Sequence, residues 1–223
     1  MNGATTGGAP GSAAAPPLAA AILTGGRASR MSGTRKATLA LGGESIIERQ
    51  LAVLTRVATP VFLVTSAQSP PDANLRVVRD EFPDHGALGG IYTAIVASPH
   101  ERTLVVACDM PFLSHALLEH MAGIEADVVI PRTARGYEPL CAIYSRACLA
   151  PMRVRLTRGE LEASRLLEGV RVAEVGPETL AAYDPNGLLF VNVNTPHDYE
   201  RAKEVLEERS KASRDRIMDE LGP

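Results

Sequence analysis

An α/β fold class, one domain with a mostly parallel sheet flanked by helices, is what the sequence predicts, on three observations. Short apolar runs alternate with stretches of helical spacing from Leu18 to about Pro131. Their order is β-α-β-β-α-β-α-β, at the spacing of βαβ units. Thr103–Ala107 (TLVVA) is continuously apolar, as a parallel strand covered on both faces requires. The first apolar run also breaks directly into a glycine-rich basic turn, and the carboxyl ends of strands are where such sheets bind ligands. A chain of 223 residues with 45% hydrophobic content can bury a full core in one domain.

Residues 1–17 are mostly Gly, Ala, Pro, Ser and Thr without a charged side chain, and read as a disordered tail. They lack the basic start of a secretory signal, and no apolar run approaches the ~20 residues of a membrane span. Leu18–Leu23 is the first buried strand. Thr24 then opens a loop holding Gly25, Gly26 and Gly33, interleaved with Arg27, Arg30, Arg35 and Lys36. Ala37–Leu41 is a short extended piece ending at Gly42–Gly43. Ser45-Ile46-Ile47-Glu48 matches a capping box, and Ile47, Leu51 and Leu54 keep helical spacing, so a helix runs to about Val57.

Pro60 ends that helix, and Val61–Thr65 is the second strand. Ser66–Asn74, with Ser69-Pro70-Pro71-Asp72, is loop. Leu75–Val78 is a third strand ending at Arg79-Asp80. The turn-rich Pro83–Gly90 launches a helix over Ile91–Ala97. Thr103–Ala107 follows as the central strand, ending in Cys108-Asp109-Met110-Pro111. Ser114 caps a helix to about Met121, and Asp127–Pro131 is a fifth strand.

From Tyr137 the pattern loosens. Leu140–Tyr144 reads as a strand, Ala147–Leu156 and Leu161–Leu167 as helices, and Val170–Val175 as a strand. Phe190–Thr195 leads into a helix from Pro196 to about Arg209. The charged tail 210–223 either extends that helix or frays. The single domain therefore covers 18–209, with no repeat and no dividing linker.

A formal net charge of −3 with scattered arginines provides no electrostatic footprint for nucleic acid. The three cysteines, Cys108, Cys141 and Cys148, form no C-x-x-C pair. They suit small buried hydrophobes in a reducing cytoplasm better than a disulfide framework or a zinc site. The five histidines are dispersed without metal spacing.

In the opening loop, glycines let backbone N–H groups approach a polyanion and the cations neutralise its charge. A phosphate-bearing ligand fits, and so does an ordinary surface turn with solvated cations. The loop is neither a Walker A sequence, since no glycine precedes Lys36 and Ala37 follows it, nor a G-x-G-x-x-G fingerprint. Asp80 and Asp109 follow strand ends at the same predicted rim. Asp109 follows the most buried strand, where a carboxylate beside a triphosphate is what Mg²⁺ requires. Asp80 is open between ligand contact and loop capping. Asn192 and Asn194 alternate with Val191 and Val193, which puts two buried amides on one face. A ligand or a neighbouring loop backbone can satisfy them.

Several of these pieces together resemble molybdenum cofactor guanylyltransferases, within the wider Rossmann-like, three-layer nucleotidyltransferases. The carrying residues are Leu23-Thr24-Gly25-Gly26, Ser29-Arg30-Met31, Lys36, Asp80, Gly86–Gly90, Cys108–Phe112, Glu138-Pro139-Leu140 with Ala142 and Tyr144, and Asn192–Pro196. They span residues 19 to 200. Ser32 and Arg35 stand where relatives often have Gly and Asp.

The resemblance implies transfer of GMP from GTP to molybdenum-molybdopterin with release of pyrophosphate, by in-line displacement at the α-phosphorus. It implies that Leu23, Thr24, Gly25 and Gly26 hold the nucleotide, with further contacts from Lys36, Thr65 and Asp80. Asp109 binds Mg²⁺, Lys36 and Arg30 offset charge on the departing pyrophosphate, and Asn192 and Asn194 orient the acceptor. The product goes to acceptor molybdoenzymes, with no part for nucleic acid or membrane. Two alternatives stay open: a cytidylyltransferase on the same or another phosphorylated acceptor, and a nucleotide-binding module without chemistry. Related cytidylyltransferases carry an Ala-Ala-Gly first loop, so Gly25-Gly26 leans toward guanine.

Overall fold

In a computed structural model the protein is described at residues 17–24, 30–31, 34–35, 39–66, 74–161, 167 and 169–221. Along the chain come β1 (Leu18–Leu23), β2 (Arg30–Met31), β3 (Thr34–Arg35), β4 (Ala40–Leu41), β5 (Glu44–Ser45), α1 (Ile46–Leu54), β6 (Val61–Thr65), β7 (Arg76–Arg79) and α2 (Gly86–Ala97). There follow β8 (Arg102–Ala107), α3 (His115–Ala122), β9 (Val128–Thr133), β10 (Gly136–Tyr137), β11 (Cys141–Ser145), α4 (Leu149–Arg158), β12 (Val172–Val175), α5 (Pro177–Tyr183) and α6 (Pro196–Leu221).

The eight-stranded sheet is ordered β10-β9-β11-β8-β1-β6-β7, with β12 pairing β9 off that path. β1 pairs in parallel with β6 and β8, β6 with β7, and β9 with β12. β11 runs antiparallel between β8 and β9, and β10 antiparallel to β9.

Every residue of β1 is buried, because its side chains alternate between two cores. Ala20 and Ile22 join Ile47 and Leu54 of α1 and Leu117, Leu118 and Met121 of α3 on one face. Ala19, Ala21 and Leu23 join Leu88, Ile91 and Ile95 of α2 and Met152 and Leu156 of α4 on the other. This is the expected three-layer arrangement. A third cluster, of Leu41, Ile46, Phe112, Val193 and Ala202, seats α6 against the start of α1.

The capping box forms as read. The Glu48 N–H donates to the Ser45 hydroxyl at 3.3 Å, and the Ser45 N–H donates to the Glu48 carboxylate at 2.7 Å. Ser45→Ala is expected to lower unfolding stability by about 1 kcal/mol, read as a shifted urea midpoint with unchanged slope.

Two elements differ from expectation, each with a physical cause. α2 begins at Gly86 rather than Ile91, because Gly89 and Gly90 are packing glycines and not turn formers. A Cβ on Gly89 would lie 2.4 Å from the Phe82 carbonyl oxygen, and one on Gly90 2.9 Å from Leu23 Cδ1. α5 forms unpredicted, with Pro177 in its first turn where the missing N–H costs nothing. Phe190–Thr195 is irregular, while α6 continues through the charged tail to Leu221. The expected helix over 161–167 and the tail at 1–17 lie largely outside the described residues. Among the described residues no helix is long and apolar enough to cross a membrane.

Candidate active site

Strands β1, β6, β7 and β8 all point the same way, so the residues after them emerge along one edge of the sheet. Leu23 is level with Val64 on β6 and with Ala107 on β8. The Thr24 N–H donates to the Val64 carbonyl at 2.9 Å, and the Cys108 N–H donates to the Leu23 carbonyl at 3.1 Å. One step further out, the Asp80 N–H donates to the Thr65 carbonyl at 2.9 Å. Thr24, Thr65, Asp80 and Asp109 therefore share the carboxyl rim, and the opening turn leaves β1 beside the turn that carries position 109.

These residues are held differently. Leu23, Thr24 and Thr65 are buried, and the Thr24 hydroxyl donates back to the Val64 carbonyl at 3.3 Å. Oδ1 of Asp80 accepts from the Phe82 N–H at 2.9 Å and from the Thr93 hydroxyl at 3.0 Å. Loop capping, the simpler of the two expectations for Asp80, thus occupies that oxygen and ties the turn to α2. Asp109 is half-buried, and its carbonyl accepts from the Val193 N–H at 2.8 Å.

That last bond brings the Asn192–Asn194 segment against the Asp109 turn. The alternation holds, since Val193 is buried with Leu41, Ile46, Phe112 and Ala202. The expectation that both amides are buried does not hold: Asn192 and Asn194 are exposed. The segment is not a sheet strand, so only its valine side is covered, and both asparagines stand at the open side next to Asp109. Asp198 fixes the segment from behind, its carboxylate accepting from the N–H groups of Asn194 at 3.0 Å and Thr195 at 2.8 Å.

Of the remaining predicted site residues, Arg30 pairs with Arg35 in the β2–β3 ladder, and its backbone alone is described. Gly25, Gly26 and Lys36 lie outside the described residues.

β11 opposes both β8 and β9, so β9 points with β8 and Thr133 ends at the same rim. There a cavity of about 450 Å³ is lined by Thr133, Arg135, Leu180, Asp184, Phe190 and Arg201, among others. The Arg135 guanidinium donates to the Phe190 carbonyl at 3.2 Å. The cavity adjoins the Asn192–Asn194 segment, on the opposite side of Asp109 from β6 and β7.

Gln50 and Thr93 are not singled out by the sequence, although each touches a rim turn. For Gln50 the available signal is an amide within the otherwise apolar buried stripe of α1, which holds Ile46, Ile47 and Leu54. All three cysteines are buried. Burial pushes the Cys141 thiol up to about 12 and Cys148 up to about 11, which leaves both as inert thiols.

The family model described as the MobA-like NTP transferase domain matches residues 20–175. This chain belongs to that family. Like the rest of the MobA-like NTP transferases it is a nucleotidyltransferase, and the family resemblance drawn from the sequence is borne out. The molybdenum cofactor guanylyltransferase of Desulfosudis oleivorans is 34% identical over 83% of this chain and 94% of its own. A probable molybdenum cofactor guanylyltransferase of Pelotomaculum thermopropionicum is 36% identical over 86% of this chain and 95% of its own. Among solved structures, molybdopterin-guanine dinucleotide biosynthesis protein A from Archaeoglobus fulgidus superposes with a TM-score of 0.72 at 26% identity, covering 85% of this chain and 98% of that one.

Proposed function

We propose that this MobA-like transferase moves GMP from GTP to molybdenum-molybdopterin and releases pyrophosphate, giving the guanine dinucleotide form of the cofactor. The observation that carries the reading is the bond from the Cys108 N–H to the Leu23 carbonyl, which joins the turn opening the glycine loop to the turn holding Asp109. Relatives bearing the guanylyltransferase name across most of their length support the same choice.

GTP lies on the β1–β6–β7 side, over Leu23, Thr24, Gly25, Gly26, Thr65 and Asp80. Asp109 would hold Mg²⁺ at this rim. Among the described residues no group of three His, Cys, Asp or Glu gathers, and one rim carboxylate completed by substrate phosphates is how Mg²⁺ is usually bound. When bound, the ion supplies charge neutralisation across the triphosphate. The acceptor's phosphate oxygen attacks the α-phosphorus of GTP, forming the new P–O bond as the bond to the β-phosphate breaks and pyrophosphate departs. That oxygen is anionic at neutral pH, so no general base is required. Positioning and charge complementarity then provide the rate, with Arg30 and Lys36 offsetting the charge on the leaving pyrophosphate. The acceptor approaches from the β9 side. Asn192 and Asn194 orient it, and the cavity beside them offers Leu180 and Phe190 to its flat pterin and Arg135 and Arg201 to its anionic end. Acceptor molybdoenzymes receive the product, and the buried thiols suit a reducing cytoplasm.

With Mg²⁺ and molybdenum-molybdopterin present, GTP is expected to release pyrophosphate at least tenfold faster than CTP, a discrimination within reach of a base-edge pocket. Equal or faster release with CTP supports the cytidylyltransferase instead. Thermal stabilisation by GTP without pyrophosphate from either nucleotide supports a binding module.

A further inference from the structure

Gln50 is buried to 1% exposure, unusual for a glutamine, on a helix whose other buried positions are aliphatic. Its side-chain nitrogen donates to the Ala107 carbonyl at 2.7 Å and to the Met110 carbonyl at 3.0 Å. These two carbonyls bracket Cys108 and Asp109. Rotating the amide would set its oxygen against both, so only one orientation is possible. The turn is also tied through the Ala107 N–H to Leu140, the Cys108 N–H to Leu23 and the Asp109 carbonyl to Val193. Gln50 spans it from both sides of Asp109, and does so from the helix α1.

We infer that Gln50 is a positioning residue for the transfer reaction: by clamping Ala107 and Met110 it sets where the Asp109 carboxylate stands relative to the triphosphate. This rests on the reading of Asp109 as the Mg²⁺ ligand. Gln50 touches neither substrate nor metal. It acts on the backbone that presents the ligand, and supporting groups of this kind typically change metal affinity or activity by about 10–100-fold. An aliphatic residue would fill the same space but leave two buried carbonyls without donors, and the turn would relax toward other partners.

The test compares parent, Gln50→Met, Gln50→Glu, Asp109→Asn and the Gln50→Met/Asp109→Asn pair, all in the full chain and below their unfolding midpoints. Mn²⁺ binding in the presence of GTP is measured by electron paramagnetic resonance, GTP binding in EDTA by calorimetry, and kcat and KM with the pterin acceptor. Gln50→Met is expected to weaken Mn²⁺ binding about tenfold and lower kcat about tenfold, with metal-free GTP affinity changed less than twofold. In the Asp109→Asn background the same substitution adds less than twofold, because both act through one carboxylate. Additive losses, or loss of GTP affinity without metal, mark a merely structural glutamine and overturn the inference. Parent-like Mn²⁺ binding in folded Gln50→Met overturns it as well. If Asp109→Asn itself leaves Mn²⁺ binding intact, the metal reading and this inference fail together. Should Gln50→Met not fold, Gln50→Glu, which keeps the shape and leaves at most one donor, the O–H of a protonated carboxyl, for the two carbonyls, is read against the same outcomes.

Discussion

Asp109→Asn is expected to lower turnover with GTP and molybdenum-molybdopterin by roughly 10²–10³-fold, the usual loss when one preorganised charge contact is removed from a transfer site. The substitution keeps size and shape and removes one negative charge. Its backbone anchors, from the Val193 N–H to the Asp109 carbonyl at 2.8 Å and from the Cys108 N–H to the Leu23 carbonyl at 3.1 Å, do not involve the carboxylate. The circular dichroism spectrum is therefore expected to stay native. If GTP is held by the β1 and β6 ends as proposed, largely apart from this carboxylate, the deficit falls mainly on kcat. The Mg²⁺ concentration needed for half-maximal rate rises. Steady-state kinetics over a Mg²⁺ series decide it: a folded variant turning over within threefold of the parent removes Asp109 from the chemistry.

That carboxylate was legible in the sequence for a local reason. In a parallel sheet, a residue after an apolar run lands at the carboxyl rim whatever the strand order, so the loop opening at Thr24, Asp80 and Asp109 could be grouped from pattern alone, whereas Thr65 entered only through the family resemblance. The capping box was legible for the same reason, since Ser45 and Glu48 satisfy each other within one turn. What escaped was set by contacts distant in the chain. The Leu140–Tyr144 run reads as a strand, but nothing in its composition tells that it runs antiparallel between β8 and β9. The asparagines were read as buried because alternation marks two faces and cannot say which is covered. Packing of Val193 with Leu41 and Ala202 decides that. Gln50 meets carbonyls 57 and 60 residues away. Gly89 and Gly90 sit in a turn-rich sequence, and only the approach of Phe82 and Leu23 shows why side chains are excluded there.

Gly89→Ala turns that last point into a measurement with two opposed terms. Within a helix, alanine is favoured over glycine by about 1 kcal/mol, so on propensity alone the variant would be more stable. Its Cβ, however, would stand 2.4 Å from the Phe82 carbonyl oxygen and 2.9 Å from Phe82 Cβ. The first of these is backbone, already accepting from the His85 N–H at 3.0 Å, and cannot swing aside. Overpacking of this kind costs about 1–3 kcal/mol and occasionally more, and contact with a fixed carbonyl belongs at the upper end. A net loss of about 2 kcal/mol is expected, which for a domain of this size lowers the unfolding midpoint by about 4–8 °C. Gly90→Ala, whose Cβ comes nearest to the end of the Leu23 side chain at 2.9 Å, should lose less. The displaced Phe82 turn carries Asp80 with it, because Asp80 Oδ1 is bonded to both the Phe82 N–H and the Thr93 hydroxyl. KM for GTP should accordingly rise more in Gly89→Ala than in Gly90→Ala if Asp80 contacts the nucleotide. A higher midpoint for Gly89→Ala would mean that α2 and the Phe82 turn can separate at little cost, and with it would go the view that glycine is required there to seat Asp80 at the rim.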